Sequence, residues 1–184
     1  MRILGIAGSL REGSYNRSLL RTARELLPQG VELVDFDLRS LPLYDGDVEA
    51  AGDPEAVVAL KEAIRDADAL LIATPEYNRG VPGVLKNAID WASRPALASP
   101  LAGKPVAIIG ASTGRGGTAR AREQLRAALE YSRATVLEQP EVLVPEAFMR
   151  FNEHGELVDP GIRAELAELI DTLVRVADGV TLAA

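Results

Sequence analysis

The sequence predicts an α/β fold: a three-layer, doubly wound domain whose parallel sheet has five strands in the order 2-1-3-4-5. Three observations predict it. Apolar segments and amphipathic helical segments alternate five times along the chain. The apolar segments at 3–7, 69–74 and 106–111 show no polar alternation, as expected of strands buried on both faces between helix layers. No internal repeat or low-complexity linker divides the 184 residues, so 1–184 reads as one domain with a substantial core.

Each element follows from local chemistry. Residues 2–7 form the first strand. From Asn16 onward, Leu19, Leu20, Ala23, Leu26 and Leu27 recur at helical spacing, and Pro28 and Gly30 end that helix. Residues 31–36 form the second strand. The stretch 37–53, DLRSLPLYDGDVEAAGD, is rich in turn formers and reads as a long loop. Asp53 reads as an N-cap and Pro54 as the first helical position of a helix reaching about residue 66. Residues 69–74 form the third strand, PEYNRGVPG the loop after it, and Val84, Leu85, Ala88, Ile89 and Ala92 a helix opened by Pro82. After a connection at 93–105, residues 106–111 form the fourth strand. STGRGGT follows, then a helix through Ala121, Leu125, Ala128 and Leu129. A fifth strand lies within 134–144, and Pro140 points to an edge position. Residues 148–161 read as a surface loop or short hairpin, and Ile162 to Ala177 mark the last helix.

Composition excludes several chemistries. The chain has no cysteine, so disulfides, thiolate nucleophiles and cysteine-ligated metals are out. Its one histidine, His154, lies in a polar loop and reads as solvated. A net charge of −7 argues against nucleic acid as a partner. No apolar run approaches the ~20 residues of a membrane span, and the N-terminus reads as a strand rather than a signal peptide. The expectation is a cytoplasmic protein with no membrane partner and no metal.

Three loops are chemically unusual: GSLREGSYNR after strand 1, PEYNRGVPG after strand 3 and STGRGGT after strand 4. In strand order 2-1-3-4-5 they converge on one crevice beyond the carboxyl ends of the strands, at the switch point. In the first loop, Ser9, Arg11, Ser14, Tyr15 and Asn16 precede or open a helix, where outward N–H groups and the dipole favour an anion. Arg11 and Arg17 supply positive charge that an acidic protein must provide locally. Capping alone needs one such residue, and this loop has more. The loop lacks Gly-Lys-Ser/Thr and G-x-G-x-x-G, which points to a mononucleotide phosphate. In the second loop, Pro75, Glu76, Tyr77, Asn78 and Gly80 offer a ring cover, polar edges and close backbone approach. In the third, Ser112, Thr113, Gly114 and Gly116 offer backbone N–H groups to a carbonyl edge.

These three motifs at this spacing resemble the NAD(P)H-dependent FMN reductase family, a flavodoxin-like group that includes quinone, azo-dye and chromate reductases. The resemblance covers residues 2 to about 150 and extends to LPLYDGD in the long loop. It implies non-covalent FMN, with NADPH or NADH as donor and a small-molecule electron acceptor. It places Ser9, Arg11, Ser14 and Asn16 at the FMN phosphate, and Pro75 to Asn78 beside the ribityl chain and ring. Ser112 and the glycines after it fall at the ring's other side. Arg115 stands where relatives often carry a bulky residue, and is a candidate for the 2′-phosphate of NADPH.

The same resemblance implies hydride transfer through the flavin without a side-chain nucleophile, and a homodimer or homotetramer in which Leu41, Leu43 and Tyr44 anchor the long loop. A flavodoxin-type carrier without its own turnover is the alternative, although the threonine-glycine-threonine pattern of such carriers is missing. A phosphorylated receiver would need an aspartate ending strand 1 or 3, and none is there.

Overall fold

Strands form where apolar residues face both ways. β1 (Arg2–Ala7), β2 (Glu32–Phe36), β3 (Ala69–Ala73) and β4 (Pro105–Ala111) pair in parallel, with Ile3 opposite both Leu33 and Ala69, and Ile72 opposite Ile108. The sheet order is β2-β1-β3-β4 with the fifth strand beyond β4, as the sequence predicts. The computed structural model describes residues 1–179; the stretch 180–184 of the expected domain lies outside the described residues.

Alternation along each strand divides the core into two layers. Ile3, Ala69, Leu71, Ala107 and Ile109 pack with Leu19, Leu20 and Ala23 of α1 (Tyr15–Glu25) and with Leu166, Leu169, Ile170 and Leu173 of α6 (Pro160–Ala177). Leu4, Ile6, Leu70, Ile72, Val106 and Ile108 face the other way. They meet Leu60 and Ile64 of α3 (Glu55–Asp66), Leu85 and Ile89 of α4 (Gly83–Ala92), and Leu125 and Leu129 of α5 (Ala119–Tyr131). This dry, two-sided burial holds the strand ends, and thus the loops beyond them, in fixed positions.

Four details depart from the sequence reading. The fifth strand is two pieces, β5 (Thr135–Val136) and β6 (Val142–Val144), both parallel to β4. Val106 pairs Val136 and Ile109 pairs Val142, so six residue steps on the edge oppose three on β4. The surplus bulges outward around Pro140. Within 37–53, Leu38–Ser40 forms a 3-10 turn and α2 (Gly46–Ala51) a short helix. No residue of α2 is buried, so it leaves no apolar periodicity to read. Asp53 is not the cap of α3; Pro54 takes that place without a side-chain bond. Asp53 instead holds the buried Lys61 at 2.6 Å, which spares that ammonium an unpaired burial. Pro82 likewise stands one residue ahead of α4. The stretch after β6 contains a short hairpin bridge, Phe151 to Leu157.

The 37–53 segment is strapped to α4. Trp91 is fully buried and its Nε1 donates to Pro42 O at 2.9 Å. Asn87 donates to Pro42 O at 2.8 Å and accepts from Tyr44 N at 2.8 Å. Tyr44 packs edge-on to Trp91 with centroids 5.0 Å apart. Its hydroxyl donates to Glu49, which raises the phenol's pKa. Within the chain Tyr44 anchors this segment, Leu41 is half-buried, and Leu43 is 83% exposed. Lys86 and Asp90 form an ion pair one turn apart on α4, and His154 is exposed, as the sequence reading of that histidine expects.

Candidate functional site

The three unusual loops do converge. A cleft of about 200 Å³ beyond β1, β3 and β4 is lined by Ser9, Arg11, Ser14, Tyr15, Asn16, Pro75, Glu76, Tyr77, Ala111, Ser112 and Thr113. All but Ala111 are residues the sequence singles out. Asn78, Gly80, Gly114 and Gly116 stand in the same loops but do not line the cleft. Arg17 points away from it: its Nε donates to Ser9 O at 3.3 Å and its guanidinium lies 3.8 Å from Asp37.

The first loop leads straight into α1. Ser14 is the N-cap, its hydroxyl accepting from Asn16 N at 3.2 Å, and Ser18 N is bonded to Ser14 O. The Tyr15 and Arg17 N–H groups have no partner among the described residues, the usual condition of a helix start. Ser9 is 3% exposed, accepts weakly from Arg11 N at 3.4 Å, and lies 3.3 Å from the Tyr77 hydroxyl. The Arg11 guanidinium has no hydrogen bond or ion pair among the described residues. Free N–H groups, two serine hydroxyls and an unpaired guanidinium form a donor set suited to a phosphate.

Asn16 does something the sequence reading did not anticipate. Its side-chain amide donates to Ala111 O and accepts from Ala111 N, both at 2.9 Å, with both residues buried. One of the two amide N–H groups is thereby used, and the side chain ties the start of α1 to the end of β4. What signals this is only that a buried asparagine needs partners.

The second loop is a tight hairpin turn. Tyr77 and Gly80 exchange both backbone hydrogen bonds, at 3.1 and 3.0 Å, and Asn78 and Arg79 both have positive φ, 50° and 63°. That is the type I′ pattern. Asn suits its first position, while Arg79 occupies a position where glycine is usual. Gly80 lies close to α5: a Cβ there would stand 3.0 Å from Gln124 Oε1 and would push that side-chain end back by a few tenths of an ångström.

The third loop is knitted to the segment after β6. Ser112 N donates to Val144 O, Ala147 N to Ser112 O and Glu146 N to Gly114 O, at 3.0 to 3.1 Å. Gly114 N goes to Ser112 Oγ at 3.0 Å. The N–H groups of Thr113, Arg115 and Gly116 keep no partner among the described residues. The Arg115 side chain is 94% exposed, with Glu146 3.9 Å away. Among the described residues no helix is long and apolar enough to cross a membrane, and no acid or histidine cluster could hold a metal.

Comparison with known proteins agrees with this geometry. An NAD(P)H-dependent FMN reductase of Pseudomonas aeruginosa is 49% identical over 173 residues, covering 94% of this chain and 93% of that protein. A 2-hydroxy-1,4-benzoquinone reductase of a Burkholderia species is 42% identical over 171 residues, 93% of each. The structure of FerB, a flavoenzyme NAD(P)H:(acceptor) oxidoreductase from Paracoccus denitrificans, superimposes with a TM-score of 0.88 at 34% identity. The match covers 98% of this chain and 99% of that one. The sequence model of the NADPH-dependent FMN reductases matches residues 1–149, and the chain belongs to that family.

Proposed function

We propose that the cleft holds FMN by its 5′-phosphate at the start of α1, through Ser9, Arg11, Ser14 and the free N–H groups of Tyr15 and Arg17. The ring side falls to Pro75 and Tyr77 in the second loop and to Ser112 and Thr113 in the third, with Asn78, Gly80, Gly114 and Gly116 of the same loops beyond the cleft's edge. The chain is an NAD(P)H-dependent flavin oxidoreductase with small-molecule acceptors. The observation that carries the assignment of residues is the unpaired Arg11 guanidinium beside an open helix start, in a protein of net charge −7.

When bound, the flavin supplies the two-electron hydride chemistry between nicotinamide and acceptor. The chain's own residues bind and orient. Ser14 holds the first turn of α1 in shape, and Arg11 neutralises phosphate charge. The free N–H groups of Thr113, Arg115 and Gly116 present aligned dipoles where a ring edge gains negative charge, and they cost no reorganisation because the 144–147 segment holds the loop. Tyr77, half-exposed, forms the mouth that donor and acceptor pass in turn. Arg115, exposed and only loosely paired with Glu146, is placed to meet the 2′-phosphate of NADPH. We further read residues 1–184 as one unit, located in the cytoplasm. It works as a homodimer or homotetramer, supported by the exposed apolar side chains of Leu43, Leu97, Phe148 and Met149.

The test is Arg11→Ala, titrated with FMN and with riboflavin, which lacks the phosphate. The FMN dissociation constant rises about tenfold, the effect of one charge-assisted bond, while the riboflavin constant stays put. Equal changes for both flavins, or none, would remove the phosphate from Arg11.

A further inference from the structure

α5 begins without a cap of its own. Thr118 occupies the cap position, yet its hydroxyl is buried and bonds to nothing. The missing acceptor arrives from the loop after β3. Glu76 Oε2 accepts from the N–H groups of Arg120 at 3.0 Å and Ala121 at 3.2 Å. These are the second and third helical residues, where a local cap would bond. The other oxygen lies 3.8 Å from the Arg120 guanidinium, and the side chain is 14% exposed. One turn further, Gln124 accepts from Val81 N and donates to Arg79 O, each at 3.3 Å. The hairpin carrying Tyr77 is therefore clamped to the helix that follows the third loop, at two levels.

We propose that Glu76 is a positioning residue rather than a cofactor ligand: its carboxylate caps α5 and so sets the gap between the Tyr77 hairpin and the third loop. The inference rests on the reading that this gap takes the flavin ring. A carboxylate is the right group, because the helix start carries positive partial charge. It also closes that helix end to outside anions, whereas the start of α1 stays open to a phosphate.

The experiment titrates wild type, Glu76→Ala and Glu76→Gln with FMN and riboflavin by quenching of flavin fluorescence, with and without formate. In Glu76→Ala the dissociation constants of both flavins rise together by about tenfold, an indirect loss of about 1.4 kcal/mol of ring binding as the hairpin shifts. Formate restores much of the affinity to Glu76→Ala and does nothing for wild type. Glu76→Gln, which keeps one acceptor oxygen and loses the charge, falls between. Wild-type affinities and an unchanged visible spectrum in Glu76→Ala would overturn the inference, and so would a loss confined to FMN or a failure of formate to rescue. If wild type takes up neither flavin, the reading of the cleft falls first, and that is seen before any variant is compared.

Discussion

Asn16→Ala removes two hydrogen bonds of 2.9 Å and leaves the buried N–H and carbonyl of Ala111 with nothing to pair. Each stranded backbone group costs about 1–3 kcal/mol. The sum is about 2–6 kcal/mol, a large share of the roughly 5–15 kcal/mol that keeps a domain folded. Urea unfolding followed by circular dichroism reads this as a lower midpoint at unchanged slope. In a chain of this size a loss of about 3 kcal/mol lowers the melting temperature by about 6–12 °C. Asn16→Asp sharpens the test. Its ionised carboxylate would face the Ala111 carbonyl oxygen, whereas the protonated acid can still donate to it. The folded state then holds the proton more tightly than the unfolded state. The variant is closest to wild type at low pH and loses stability as pH rises. A cost below about 1 kcal/mol for Asn16→Ala would refute the argument that this amide is the tie between α1 and β4.

Three further outcomes follow from local geometry. Arg79→Gly removes the strain of a left-handed arginine at the second turn position; after the entropy cost of glycine it stabilises by about 0.5–1 kcal/mol, and a lowered melting temperature would contradict this. Trp91→Phe loses the bond to Pro42 O and the edge contact with Tyr44. It destabilises by about 1–2 kcal/mol and speeds proteolytic nicking within 37–53, and unaltered digestion kinetics would show that the strap lies elsewhere. Asp159 caps α6, and the N–H of Ile162, the Arg150 charge and the N–H of Gly161 hold its carboxyl below the usual range. Its contribution is present above the unfolded pKa and is lost as pH falls through the folded one. Asp159→Asn therefore lessens the acid dependence of melting, and an acid limb identical to wild type would count against the cap.

The layered fold was legible because burial on both faces writes itself into 3–7, 69–74 and 106–111 as unbroken apolar runs. The cleft was legible because strand order brings three odd loops together, whatever each loop does alone. The tertiary contacts of Asn16 and Glu76 were not legible. Their partners lie 95 and 44 to 45 residues away, and nothing local announces that either side chain meets a distant backbone. Thr118 even advertises the wrong cap, since its residue type fits the position while its hydroxyl bonds to nothing. Helix α2 escaped notice because it buries no side chain. The split of the fifth strand escaped because Pro140 marks an edge but not how many residues bulge there.

That split has a practical reading for protein engineering. The ladders on either side of it are anchored separately on β4, so extra chain length at 138–141 need not shift the pairing of Thr135 or Val142. Foreign peptides, affinity tags or new chain ends grafted there should leave flavin turnover intact, provided the Arg122 contacts to Glu138 O and Glu141 are kept or replaced.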